Sequence, residues 1–155
     1  MLYHASFPSR DPETAARALA ELWNGRHFRF PVFPGSFIAL KGDDKGTAVE
    51  FYPAGQVLVP GADEADVEVQ HAPAAIETHL AIGVDITEEE VHAVAHREGW
   101  QVRTCWRGDR FFRVIEFWID NLFMFEILTP EMQAEYARFA TVDNFAAFAA
   151  HADAA

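Results

Sequence analysis

Residues 78–100 read THLAIGVDITEEEVHAVAHREGW, and this stretch gives the clearest indication of the fold. Its first part, Thr78–Val84, is rich in apolar side chains and predicts a β-strand. Thr87 and Glu90 stand three residues apart, as in a capping box, and predict that a helix begins there. Gly99 predicts the end of that helix, because glycine readily takes the left-handed conformation that stops one. The stretch therefore predicts a strand followed by a helix.

Three more strands are predicted after this helix. Apolar-rich stretches and the turn residues between them place these strands at Gln101–Arg107, Arg110–Ile119 and Leu122–Leu128. The turns fall at Gly108-Asp109 and Asp120-Asn121. The second half of the chain thus has the order strand, helix, three strands.

The first half repeats this order. A strand is predicted over Leu2–Phe7, and a helix begins after Asp11 and ends at Asn24-Gly25. The three strands that follow lie at His27–Phe30, Ser36–Leu40 and Thr47–Tyr52. Matching residues of the two halves are 74 to 76 positions apart: Gly25 and Gly99, His4 and His79, Glu50 and Glu126. The sequence therefore predicts two βαβββ modules in an α+β fold.

The whole chain, residues 1–155, is interpreted as one domain. Module one covers residues 1–54, a connector residues 55–77, module two residues 78–129, and a helical tail residues 130–155. The tail is predicted to hold two short helices, at Pro130–Ala140 and Asp143–Ala150. The connector and the start of the second helix carry most of the chain's excess negative charge.

Composition excludes several classes of protein. Twelve basic against 24 acidic residues give a formal net charge of -12, which disfavours binding to nucleic acid or to an anionic membrane surface. A single cysteine, Cys105, cannot form an intrachain disulfide. The N-terminus shows no signal-peptide pattern and no stretch is long and apolar enough to span a membrane, so we expect a cytoplasmic protein.

The repeated strands carry matching polar residues. His4 and His79 lie on the first strand of each module, on the face opposite the bulky apolar side chains. Glu50 and Glu126 lie on the last strand of each module, and Glu126 stands in an otherwise apolar run. A carboxylate is costly to bury unless it is paired, protonated or bound to metal. Two histidines and two glutamates at repeated positions therefore predict a site for a divalent metal ion.

With these residues, the chain resembles the vicinal oxygen chelate superfamily, which includes glyoxalase I, bleomycin-resistance proteins and extradiol dioxygenases. The resemblance covers about residues 1–129 and implies that paired modules form half-barrels around one cavity. It also implies that His4, Glu50, His79 and Glu126 are the metal ligands. Relatives that use only three ligands lack the first glutamate, so Glu50 favours the isomerase-like pattern.

The resemblance implies a glyoxalase-like lyase or isomerase that acts on a small substrate with vicinal oxygens. The cofactor would be a divalent ion (Ni, Zn, Mn or Fe), and Glu126 or Glu50 would move a proton as general base. The partner would be a second copy, with His4 and Glu50 of one chain meeting His79 and Glu126 of the other. Two alternatives stay open: a metal-dependent dioxygenase, and a metal-free protein that binds a small molecule.

Four further residues are candidates for substrate binding. Tyr52, Trp118 and Met124 are interpreted as the apolar wall of the cavity. Glu116 could face the same cavity as an acid or base, or it could be neutralised by Arg103 or Arg113.

Overall fold

The computed structural model describes residues 4–31, 33–44, 46–60, 65–69, 79–107 and 110–144. Module one consists of a helix and four strands in the predicted order. They are β1 (His4–Ser9), α1 (Pro12–Leu22), β2 (Arg26–Arg29), β3 (Phe37–Leu40) and β4 (Ala48–Pro53). Each boundary is within two residues of the sequence-based prediction: β1 ends two residues later than predicted, and its predicted start lies outside the described residues.

Helix α1 forms for the reasons that the sequence indicated. The Asp11 side chain accepts a hydrogen bond from the Thr14 amide at 3.1 Å, and Pro12 occupies the first turn. Alanines and leucines at helical spacing make its inner face, where Leu19 and Leu22 are almost fully buried. The helix therefore covers one face of the module-one sheet.

The connector contains a β-hairpin that the sequence analysis did not predict. Strands β5 (Gln56–Pro60) and β6 (Ala65–Val69) pair in antiparallel register. The segment Ala65–Val69 alternates apolar and acidic residues, a period-two pattern typical of a strand, although its charge suggested a solvated connector. The strand β6 was thus not predicted, because the charge of residues 61–68 indicated a solvated connector.

Module two repeats the plan of module one. It consists of β7 (Leu80–Gly83), α2 (Glu88–Glu98), β8 (Val102–Arg107), β9 (Phe112–Ile119) and β10 (Phe123–Leu128). The capping box is complete, because the Glu90 amide donates to the Thr87 hydroxyl while the Thr87 amide donates to the Glu90 carboxylate. Gly99 ends α2 with a φ of 71°, as predicted.

The two sheets have the same topology, with strand orders β1-β4-β3-β2 and β7-β10-β9-β8. In each sheet the first strand lies parallel to the last one. His4 begins β1 and His79 directly precedes β7. Each of these strands thus lies directly beside the strand that carries the matching glutamate, β4 or β10. The predicted α+β fold of two βαβββ modules is confirmed.

The modules share one hydrophobic core on the side of the helices. The ring of Phe125 lies 4.8 Å from that of Phe7 and 6.4 Å from that of Phe51, so β10 packs beside β1 and β4. Arg97 of α2 forms an ion pair with Glu21 of α1 at 2.7 Å. Both helices therefore cover the same side, and the glutamate-bearing faces lie on the other.

A third helix, α3 (Pro130–Phe139), packs against module two. Met132 is buried, and the side-chain amide of Gln133 donates to the carbonyl oxygens of Val84 and Leu128. The first tail helix is thus present, one residue shorter than predicted. Most of the second, at 143–150, lies outside the described residues. Among the described helices, none has both the length and the apolar character needed to cross a bilayer.

Candidate functional site

In module one, the candidate ligand Glu50 is buried and held by two hydroxyl groups. It lies on β4 opposite Ser6 of β1, and only 8% of its surface is exposed. The Ser6 hydroxyl donates to Glu50 Oε2 at 2.7 Å and the Tyr52 hydroxyl donates to the same oxygen at 2.8 Å. These hydrogen bonds offset part of the cost of burying the carboxylate.

Tyr52 is fixed from its other side by aromatic side chains. Its ring lies 4.6 Å from the ring of Phe33 and stacks on that of Phe30 at 6.5 Å. Burial raises the pKa of Tyr52, the hydrogen bond with Ser6 lowers it, and the hydrogen bond to Glu50 raises it again, with a net increase. The phenol therefore stays protonated at neutral pH and can donate to Glu50.

In module two, the candidate ligand Glu126 is paired with an arginine. Arg107 of β8 donates to Glu126 Oε1 through Nε at 2.8 Å and through Nη2 at 2.5 Å. The Glu126 side chain is 13% exposed and that of Arg107 is 29% exposed. Glu126 thus has a charged partner within its own chain.

Glu116 joins the same cluster. It lies directly opposite Glu126 on the antiparallel strand β9, and it accepts from Arg107 Nη1 at 3.0 Å and from Arg103 Nε at 2.5 Å. Burial alone would raise the pKa of Glu116, but the hydrogen bonds from Arg103 and Arg107 lower it below the usual value. Of the two arginines predicted to neutralise Glu116, Arg103 does so. Arg113 pairs instead with Glu135 of α3.

The histidines stand in the same relation to the glutamates in both modules. On β1, His4 lies two residues before Ser6, the partner of Glu50. At the start of β7, His79 lies two residues before Ala81, the partner of Glu126. Each module therefore presents one histidine and one glutamate in equivalent positions. We call these two pairs the half-sites.

One chain does not complete a metal site in its described residues. No three histidine, cysteine or acidic side chains there come together in a group that could hold a metal ion. The chemistry of the donors nevertheless fits a divalent ion, because two imidazoles and two carboxylates are its common protein ligands. The residues would thus fit a metal if two half-sites were brought together.

Two of the other predicted substrate-binding residues lie near the module-two half-site. Met124 and Trp118 stand opposite each other on β10 and β9, two residues along each strand from Glu126 and Glu116. Trp118 also lines a groove of about 340 Å³ together with His96, Trp100, Gln101, Val102 and Arg103. Tyr52 lies beside the other half-site, in module one.

Sequence reasoning missed two residues of the site, Arg107 and Ser6. The signal for Arg107 was present, because Arg103, Cys105 and Arg107 alternate on β8 and share the face of Glu116. Ser6 shares the face of His4, because side chains alternate along a strand, but its hydrogen bond to Glu50 depends on the parallel register of β1 and β4.

Solved structures with this fold include fosfomycin resistance proteins and a lactoylglutathione lyase. The fosfomycin resistance protein FosX from Listeria monocytogenes, complexed with Mn(II) and sulfate, has 13% identity and a TM-score of 0.56 over 90% of this chain and 97% of that one. FosX from Mesorhizobium loti has 21% identity and a TM-score of 0.51 over 82% and 89%. Lactoylglutathione lyase from Agrobacterium tumefaciens has 7% identity and a TM-score of 0.54 over 84% and 94%.

No protein-family model and no curated protein sequence matches the chain. The likeness is therefore one of structure, and it extends over more than four fifths of the chain and of each neighbour. The chain has the fold of these structures, which confirms the paired-module fold that the resemblance to the vicinal oxygen chelate superfamily implied.

Proposed function

We propose that the chain is a glyoxalase-like, metal-dependent lyase or isomerase that acts as a homodimer on a small substrate with vicinal oxygens. The observation that supports this most is the identical register of histidine and glutamate in the two half-sites. The fold of a sheet does not require such a repeat, and facing half-sites with this register would bring two histidines and two glutamates to one ion. We assign the metal to His4, Glu50, His79 and Glu126.

The dimer is supported by the small number of metal ligands that come together among the described residues of one chain. Each half-site supplies two ligands, and no larger group forms in the described residues. A second copy can bring its module two against module one of the first, so that His4 and Glu50 meet the partner's other pair of ligands. A cytoplasmic location is part of the same proposal.

A divalent ion in this site would supply Lewis acidity at the neighbouring oxygens of the substrate. The carboxylate of Glu126 or Glu50 would move the carbon-bound proton as general base. Tyr52, held against Phe33, together with Trp118 and Met124, would form the wall that orients the substrate and excludes water.

Metal binding is the direct test. Mn(II) is the first probe, because a neighbour of this fold was solved with Mn(II). Calorimetric titration of wild type should show binding that His4→Ala, Glu50→Gln, His79→Ala and Glu126→Gln each weaken. His96→Ala, which removes an exposed histidine of α2, is the control and should bind as wild type does. If all the variants bind Mn(II) as well as wild type does, the assigned ligands are wrong.

Mixing two variants tests the dimer. If ligands come from both chains, a hybrid of His4→Ala and His79→Ala has one site with both changes and one site with neither. The hybrid should therefore regain half of the wild-type Mn(II) capacity, although neither homodimer binds tightly. If each site lies within one chain, the hybrid regains nothing.

A second candidate function, metal-free binding of a small molecule, is favoured by one observation. Both glutamates already have partners within the chain, Glu50 with two hydroxyls and Glu126 with Arg107. If wild type binds no Mn(II), Ni(II), Zn(II) or Fe(II), this candidate replaces the first.

If metal binds and catechol drives oxygen uptake, the protein is a dioxygenase instead. Fosfomycin and lactoylglutathione are the first compounds to try as substrates, because neighbours of this fold act on them by name.

A further inference from the structure

Arg107 uses all three of its nitrogens on the glutamate-bearing face of module two. Nε and Nη2 both donate to Glu126 Oε1, while Nη1 donates to Glu116 Oε1 at 3.0 Å and to Cys105 Sγ at 3.2 Å. Charge-assisted hydrogen bonds of this kind are among the stronger ones in proteins. The Glu126 carboxylate is thus held by a cation that belongs to the protein itself.

The same carboxylate is the ligand that module two offers to a metal. An ion on Glu126 would stand beside the guanidinium, and two positive centres close together repel each other. It would also draw electron density from the oxygen that accepts both N–H groups. Binding of the ion to Glu126 therefore weakens the hydrogen bonds from Arg107, and those hydrogen bonds weaken binding of the ion.

Glu116 is a second hydrogen-bond acceptor for Arg107. It lies opposite Glu126, and its Oε1 already accepts from Nη1. Arg103 holds the other oxygen of Glu116, so this carboxylate keeps its position when Glu126 turns away. Arg107 can thus leave Glu126 without losing all of its partners.

We propose that Arg107 and a divalent cation compete for Glu126, so that binding of metal leaves Arg107 paired with Glu116 alone. This proposal rests on the metal-dependent function proposed above. It makes Arg107 the residue that sets metal affinity, and it explains how a half-buried glutamate can be satisfied both with and without the ion.

Three variants with Mn(II) titration test this. Arg107→Gln should bind Mn(II) about tenfold more tightly than wild type, because the competing hydrogen bonds are gone. Arg107→Lys keeps the charge but cannot donate two N–H groups to one oxygen in the same way, so it should bind more tightly than wild type and less tightly than Arg107→Gln. Arg103→Gln removes the same charge from the same face without freeing Glu126, and it should change affinity far less.

A second test is an NMR titration of the wild-type protein, which does not depend on whether a variant folds. Titration with Zn(II), which is diamagnetic, should shift the NMR signal of Arg107 Nε–H as its bond to Glu126 breaks. The signal of Arg113 Nε–H, which is bonded to Glu135, should stay in place.

The outcomes separate this proposal from the function on which it depends. If neither wild type nor Arg107→Gln binds metal, the proposed metal-dependent function fails. If wild type binds and Glu126→Gln does not, but Arg107→Gln binds with unchanged or lower affinity, the function stands and the competition is overturned. An unshifted Arg107 signal on saturation with Zn(II) overturns the competition as well.

Discussion

Glu116 and Glu126 stand directly opposite each other on neighbouring antiparallel strands, and Arg107 bridges their carboxylates. Like charges at such positions destabilise a sheet, because their side chains lie close together on one face. Here the guanidinium between them removes the repulsion. The stability of module two and the chemistry proposed for Glu126 therefore depend on the same arginine.

Replacing Arg107 by methionine should destabilise the protein by about 2–3 kcal/mol at neutral pH, because it leaves Glu126 without a partner next to a second carboxylate. The measurement is urea unfolding followed by circular dichroism. The matched control is Arg103→Met. The side chain of Arg103 is 69% exposed, so its ion pair with Glu116 is screened by water and the variant should lose less than about 1 kcal/mol. Equal losses in the two variants would contradict this account.

The stability that Glu116 contributes should depend on pH. Its pKa is lower in the folded protein than in the unfolded chain, where it is about 4.3. A depressed pKa stabilises the fold above the unfolded value, and this contribution disappears as the pH falls through the folded value. We therefore expect wild type to exceed Glu116→Gln in unfolding free energy at pH 6–7, and the difference to shrink below about pH 4.

Acid unfolding of both proteins, measured in urea at several pH values, checks this. The lowered pKa values of Glu98 and Glu135 affect wild type and variant alike, so only the difference between the two reports on Glu116. A difference that stays constant from pH 7 to pH 3 would rule out the assigned role.

Much of the fold could be predicted from sequence because its signals are local. The caps of α1 and α2 lie in short motifs, and the repeat places each strand relative to its helix. The hairpin β5–β6 was not predicted, because its charge outweighed its alternation. The left-handed stop of α1 at Asn24-Gly25 was predicted, and Asn24 takes that conformation with a φ of 52°.

The candidate site was less accessible to sequence reasoning, because its contacts join residues far apart in the chain. The hydrogen bond from Ser6 to Glu50 spans 44 positions and depends on a parallel register that no local pattern specifies. Arg107 faces Glu126 across an intervening strand, β9. Residue types predicted which carboxylates need partners, but only the sheet order shows which partners they have.

Removing the Tyr52 hydroxyl should weaken the hold on Glu50. Tyr52→Phe keeps the ring against Phe33 but deletes the donor at 2.8 Å, which leaves Ser6 as the remaining hydroxyl on Oε2. We expect a loss of about 1–2 kcal/mol in unfolding free energy. Ser6→Ala is the companion variant, and the double variant should lose more than either, because the buried carboxylate then lacks both donors. No loss in either single variant would mean that water replaces the hydroxyls.

Gly25 and Gly99 occupy matching positions in the two modules, but different physical constraints act on them. A Cβ on Gly25 would overlap the carbonyl oxygen of Leu40, which is backbone and cannot move aside. Gly99 has open space around its Cα but a φ of 71°. Gly25→Ala should therefore cost roughly 3 kcal/mol through steric overlap, and Gly99→Ala about 1 kcal/mol through backbone strain.

Asparagine separates the two constraints, because it tolerates the left-handed conformation better than alanine but is larger. Gly99→Asn should lose less stability than Gly99→Ala, whereas Gly25→Asn should lose at least as much as Gly25→Ala. Thermal unfolding of the four variants gives the order directly. If asparagine were the better substitute at both positions, backbone conformation and not the contact with Leu40 would be the constraint on Gly25.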